Sequence, residues 1–331
     1  MIKKILIWTL VALVAQSGYA QQYKRETPFA HTYSIVAYDP ETGQLGVAVQ
    51  SHWFSVGTVV AWAEAGVGAV ATQSFSNPAF GPQGLQLMKT GLDAEQTLAA
   101  LLASDEGQAY RQVGVIDASG KAAAHTGAQN IEEAGHIVGK NYAVQANMMK
   151  NNTVWPAMAK AYEQTKGSLA ERMLAALEAA QQEGGDIRGK QSAALLVVSG
   201  EPTGKVWLDR LVDLRVDDAE EPLKELRRLL KVKTAYDFMN AGDLAIEAGD
   251  YAKATAAYGA AEELFPDNLE MQYWHAINLV NQGDMKAALP MFQKVFAEND
   301  DWRLLTPRLI KPGILQISED DLRTLMNLKT K

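Results

Sequence analysis

Apolar and polar residues alternate with period two over Thr32–Tyr38 and again over Leu45–Gln50, on either side of Asp39-Pro40-Glu41-Thr42-Gly43. This predicts two strands joined by a turn. Thr58–Ala63 and Val67–Gln73 predict a second pair around Glu64-Ala65-Gly66. The pattern then changes to helix. One helix is predicted from Gly81-Pro82 to Gly91, and the next begins behind Asp93, with Gln96 three residues on in a capping-box arrangement. Strands return at Gln112–Asp117, Lys121–His125 and Tyr142–Met148. Helices follow at Val154–Lys166 and Leu169–Gln182, the second behind Ser168 with Glu171, before strands Ser192–Val198 and Lys205–Asp209. Strand runs separated by paired helices do not fit a parallel βαβ sheet. They predict an α+β fold of antiparallel sheets with helices packed outside.

Near Asp217 the composition turns rich in Ala, Leu, Glu and Lys, and the pattern becomes helical throughout. Asp217-Asp218-Ala219-Glu220-Glu221-Pro222 predicts a linker ending in a proline-started helix. Gly249, Ala254 and Tyr258 recur 34 residues later as Gly283, Ala288 and Phe292. Phe238, Gly242, Gly249-Asp250-Tyr251, Ala254, Tyr258, Ala261 and Pro266 stand at tetratricopeptide-repeat spacings. Small residues there let two antiparallel helices approach, and aromatics fill the gaps. With helices at Leu223–Thr234 and Leu304–Lys329 on either side, a short helical solenoid is predicted over residues 217–331, after a sheet domain over residues 32–216.

Residues 1–20 carry the marks of a secretory signal: Lys3 and Lys4, the apolar run Ile5–Val14, and Gly18-Tyr19-Ala20 as a small-x-small cleavage pattern. Cleavage there leaves residues 21–31 as an N-terminal extension or propeptide, and the predicted address is periplasmic or secreted. The apolar run is too short to span a bilayer, so no integral membrane association is expected. The chain has no cysteine, which removes disulfides, thiolate metal sites and a cysteine nucleophile. With 31 Lys and Arg against 39 Asp and Glu, the balance is acidic, and no nucleic-acid partner is expected. The densest basic stretch, Lys224–Lys233, is interleaved with leucines and fits a solvated helix face.

Most catalytic signatures are absent: there is no P-loop, H-E-x-x-H or G-x-S-x-G. Gly66-Val67-Gly68-Ala69-Val70-Ala71 fits a loose G-x-G-x-x-A pattern, but it continues as a strand where a dinucleotide site needs a helix. His125 and His136 have no ligand spacing of a recognised kind, and no metal or cofactor is required. A triad built from Ser51 or Ser74 has nothing in its spacing to select it. Thr32 opens the first strand of the sheet domain. A threonine hydroxyl becomes a useful nucleophile when its own α-amine, with pKa near ~8, is free to act as base.

Residues 32–200 resemble the family catalogued as domain of unknown function 1028, grouped with the N-terminal-nucleophile (Ntn) hydrolases. The resemblance lies in Thr32-Tyr33-Ser34-Ile35-Val36-Ala37, Gly46-Val47-Ala48-Val49, Gly66–Gln73, Arg111-Gln112-Val113-Gly114, Ala124-His125-Thr126-Gly127, Tyr142-Ala143-Val144-Gln145 and Gly185–Ala194. It implies a four-layer αββα Ntn-hydrolase-like sandwich and an amide-cleaving hydrolase with Thr32 as nucleophile. Ser34, Gln73, His125 and Asn147 are candidates for the oxyanion or substrate pocket. Asp186, Arg188 and Gln191, in a loop before a strand, are candidates for substrate contact or for an internal ion pair and turn bonds. The expected substrate is a small amide, peptide or cell-wall-derived compound, and the helical tail is expected to engage a protein partner. One departure matters: signal cleavage leaves residues 21–31 attached, so a second cut between His31 and Thr32 is needed. The competing expectation is a non-catalytic exported binding or scaffold protein acting through the tail.

Overall fold

The computed structural model describes residues 29–30 and 32–329. The signal-like segment 1–20 lies outside the described residues, as does the 21–31 extension apart from Phe29 and Ala30. The chain divides into two compact units, residues 1–227 and 228–331.

The first unit holds eleven described strands in two antiparallel sheets. The strands are β1 (Phe29–Ala30), β2 (Thr32–Tyr38), β3 (Leu45–Ser51), β4 (Ala61–Glu64), β5 (Gly68–Phe75), β6 (Arg111–Asp117), β7 (Ala122–Thr126), β8 (Gly135–Gly139), β9 (Tyr142–Ala146), β10 (Ser192–Val198) and β11 (Arg210–Val216). The first sheet runs β1-β5-β6-β7, with β4 also on β5, and the second runs β11-β10-β3-β2-β9-β8. Its helices are α1 (Gly57–Val60), α2 (Phe80–Lys89), α3 (Ala94–Ala103), α4 (Val154–Gln164), α5 (Leu169–Gln182) and α6 (Val206–Asp209).

Strands β3, β6 and β10 are buried along their whole length, and β2 and β5 at all but one residue. Both faces of these central strands are therefore covered, and the two sets of side chains separate by alternation. Val36, Val47, Val49, Ala143, Ala194 and Leu196 meet Ala69, Ala71 and Ile116 in one apolar cluster between the sheets. The opposite face of β5 and β6, through Val70, Val113 and Val115, packs on Phe80, Leu85 and Met88 of α2 and Leu98 and Leu101 of α3. On the second sheet, α5 lies against β2 and β3, and α4 against β9. Asp93 and Ser168 close the predicted capping boxes of α3 and α5.

Four expectations change. The first half of the strand predicted at Thr58–Ala63 is the helical turn α1: Val60 donates to the Val56 carbonyl, and the Val56 N–H donates to Ser192 Oγ. Tertiary bonds there override the strand preference of Thr58, Val59 and Val60. Lys205–Asp209 is a turn into α6, and the strand that follows is β11, whose exposed charged residues broke the apolar alternation. Strand β8 escaped prediction because glycines bound it; the absent Cβ of Gly135 leaves room for the Trp155 ring. The helix predicted over Leu304–Lys329 is broken at Pro307, Pro312 and Gly313, the last at φ +79°.

The helical region comprises α7 (Pro222–Glu247), within which the division between the units falls, α8 (Tyr251–Leu264), α9 (Leu269–Asn281), α10 (Met285–Glu298), α11 (Asp301–Leu305) and α12 (Glu319–Met326). The repeat has a mechanical basis. Gly249 and Gly283 take left-handed φ values of +73° and +82°, and the next residues, Asp250 and Asp284, cap α8 and α10 through the N–H groups of Lys253 and Ala287. Among the described residues, no helix is long and apolar enough to cross a membrane.

Gly114 lies on the face of β6 that meets the second sheet, and a Cβ there would sit 2.5 Å from Gln145 Oε1. Gly114→Val should therefore cost the sheet unit about 1–3 kcal/mol, read as a lower thermal midpoint for its unfolding. An unchanged midpoint would contradict the close approach of the sheets at this point.

Candidate functional site

The apolar layer between the sheets ends in a polar seam. Gln73 and Gln112 are register neighbours on β5 and β6, and Ser34 and Gln145 are register neighbours on β2 and β9. All four are fully buried, as are Thr32 and Asn147. Ser34 Oγ donates to Gln73 Oε1 at 2.5 Å and accepts from Gln145 Nε2 at 2.6 Å. Gln73 Nε2 donates to Gln112 Oε1 at 2.6 Å, and Asn147 Nδ2 reaches the same oxygen at 2.9 Å. Gln112 Nε2 in turn lies 2.8 Å from the Ala146 carbonyl and 2.9 Å from Thr126 Oγ1. Burying these amides and the Ser34 hydroxyl together is tolerable only because they bond to one another across the seam, although Gln145 Oε1 stays without a partner.

Thr32 stands at the edge of this network. Its carbonyl oxygen accepts from the Asn147 N–H at 3.1 Å, Asn147 Nδ2 at 3.2 Å and Gln73 Nε2 at 3.1 Å. Three donors on one carbonyl fix the start of β2, which also pairs with Ser51 of β3. Just before it the chain changes sheets: Ala30 pairs with Ser74 of β5 in the first sheet, and Thr32 begins β2 in the second. The crossing thus falls between Ala30 and Thr32. Ser74, beside it, is fully buried at φ +71°, and its hydroxyl has no hydrogen-bond partner among the described residues.

The structure brings Ser34, Gln73 and Asn147 into one hydrogen-bonded network with the Thr32 carbonyl, while Gln191 and Asp186 bond to Ser51, the register partner of Thr32, and to the His52 that follows it. His125 Nε2 is 3.0 Å from the Gln108 carbonyl. His136 Nδ1 is 2.8 Å from Thr126 Oγ1, which joins it to the outer end of the seam. Desolvation, and then the neighbouring His125, hold the His136 imidazole below its ordinary pKa. Asp186 and Arg188 pair with each other: the guanidinium reaches the carboxylate through Nη2 at 2.7 Å and Nε at 3.0 Å. Asp186 also accepts from the His52 N–H. With burial as the larger cause, its negative charge raises the Tyr33 phenol well above its ordinary range. Gln191 donates its N–H to the Ser51 carbonyl and its side-chain amide to Asp218. Among the described residues, no group of three His, Asp or Glu is placed to hold a metal ion.

Gln112, Gln145 and Thr126 were not singled out from the sequence. Gln112 and Gln145 each close an inward-facing stripe, beyond Gly114 and Ile116 on β6 and beyond Ala143 on β9. A buried amide in such a stripe was the available signal.

Gln73→Leu should destabilise the sheet unit by about 2–4 kcal/mol, because Ser34, Gln112 and the Thr32 carbonyl each lose a buried partner. Equilibrium denaturation measures this, and a loss below ~0.5 kcal/mol, the range of an ordinary surface change, would contradict the seam.

Residues 32–226 match a family of unknown function, DUF1028, and residues 245–306 match a tetratricopeptide repeat. No curated protein matches the chain. Among solved structures, the crystal structure of a DUF1028 protein from Silicibacter pomeroyi is 32% identical and superposes with a TM-score of 0.56, covering 62% of this chain and 89% of that one. The family match spans more than half of the 331 residues and contains the seam, Thr32 and both sheets apart from β1. On that match the chain belongs to the DUF1028 family, with a tetratricopeptide-repeat region following the family domain.

Proposed function

We propose that this protein is an exported N-terminal-nucleophile amidohydrolase of the four-layer αββα class. The observation that carries the reading is the position of Thr32. It is the first residue of a central strand, its carbonyl is locked by three donors, and the preceding strand, β1, belongs to the other sheet. A cut between His31 and Thr32 converts the Thr32 amide nitrogen into a free amine. The same cut releases the strand pairing of β1 along Phe75 and Ser74.

In the processed chain, the Thr32 α-amine takes the Oγ proton as Oγ attacks the substrate carbonyl carbon. The tetrahedral intermediate collapses with loss of the C–N bond, and the ammonium returns its proton to the leaving amine. Water, deprotonated by the same amine, then hydrolyses the Thr32 ester. The buried Ser74 hydroxyl beside the seam, unpartnered among the described residues, is the candidate donor for stabilising the oxyanion. No metal or organic cofactor enters this sequence. The substrate class is a small amide, a peptide or a cell-wall-derived compound in the periplasm or outside the cell. The tetratricopeptide region docks a protein partner.

A second reading, an exported scaffold acting through the repeats alone, draws on the complete burial of Thr32 in the uncut chain. The two readings part on covalent chemistry. A chain prepared to begin at Thr32 should open a β-lactone probe, forming an ester at Thr32 Oγ that peptide mass mapping locates. Thr32→Ala should abolish the adduct with the same fold. A chain beginning at Thr32 that stays unlabelled would contradict the hydrolase.

A further inference from the structure

Strand β11 closes one side of the second sheet. β10 pairs along one of its edges, and among the described residues no strand lies on the other. Such an edge carries unpaired N–H and C=O groups that can template another strand. Arg210, Asp213 and Arg215 are exposed, while Leu211, Val212 and Leu214 are partly so. Asp213 holds Arg210 at 2.8 Å, yet 40% of its side chain remains accessible. Arg215 has no ion pair among the described residues. Just before the strand, Val206, Trp207 and Leu208 are 65%, 75% and 53% exposed. Three consecutive large apolar side chains in water are characteristic of surfaces that are covered in use.

The order of charges on β11 selects what would cover it. Two copies of one strand meeting across a two-fold axis pair antiparallel, with residues of the same alternation opposite each other so that outward backbone groups meet. With Leu214 on the axis, Asp213 of each copy stands opposite Arg215 of the other, Val212 opposite Val216, and Leu214 opposite itself. Moving the axis to Asp213 or to Arg215 sets like charges against each other at the centre. Moving it to Val212 sets Asp213 against Leu211. Direct cross-strand neighbours are close enough for these differences to fix a register.

We propose that β11 is a homodimer interface. Two copies pair antiparallel about Leu214 and join their six-stranded sheets into one, with two Asp213–Arg215 pairs across the axis. The exposed block Val206–Leu208 then flanks the join at each end of the ladder.

Sedimentation equilibrium of the purified chain should show a dimer. Asp213→Arg and Arg215→Asp each place like charges across the axis twice, and each should weaken self-association about tenfold or more. An equimolar mixture of these two variants restores opposite charges at both positions and should return to the wild-type dimer. So should the doubly reversed chain D213R/R215D, which keeps the test decisive where one reversal disturbs folding. A wild-type monomer would overturn the proposal, whether because the edge is free or because another segment of the chain occupies it. A dimer indifferent to both reversals, or folded variants that fail to associate on mixing, would overturn it equally.

Discussion

The seam of amides between the sheets is the constraint around which this domain is arranged. Ser34, Gln73, Gln112, Gln145 and Asn147 lie beside a layer built mostly of small and aliphatic residues, and all five are fully buried. A polar group moved there from water loses hydration that only internal partners can replace. Four strands supply those partners, so β2, β5, β6 and β9 have one register in which the network closes. A slip by one residue in any of them turns its polar residue onto a helix-covered face and leaves the others unpaired. The small residues nearby follow from the same demand: Gly114 has no Cβ because the Gln145 amide occupies its place.

On the proposed mechanism, rigidity at this point would have a chemical use. Thr32 begins its strand with its carbonyl held from three directions, which would keep the residue in place were the chain before it cut. A nucleophile that carries its own base needs only a correctly placed main chain and donors for the oxyanion. Preorganised dipoles in a dry site supply the second requirement. In the proposed hydrolase the seam would meet both demands with neutral side chains.

Much of the architecture was legible in the sequence because its elements obey local rules. The alternation of β2, β3 and β5, the capping boxes at Asp93 and Ser168, and the recurrence of Gly249-Asp250 as Gly283-Asp284 each have a short-range cause. What escaped was decided at long range. α1 takes its shape from Ser192, more than a hundred residues away, and β8 is a strand because Trp155 and Tyr142 fill the spaces its glycines leave. The site divides the same way. Ser34, Gln73 and Asn147 were visible as polar residues on strands. Gln112 was passed over because its role is set by Gln73 and Asn147, residues 39 and 35 positions away along the chain. For Asp186 and Arg188 the sequence left substrate contact and an internal ion pair open, and the ion pair is formed, with the His52 amide also donating to Asp186.

The central claim concerns one peptide bond. Intact mass and N-terminal sequencing of the protein recovered from its native host test it most directly. The account predicts a mature chain that begins at Thr32, with its amine free. A mature chain that begins at Gln21 and carries residues 21–31 in full would contradict it, because the base that the mechanism requires would then be locked in an amide.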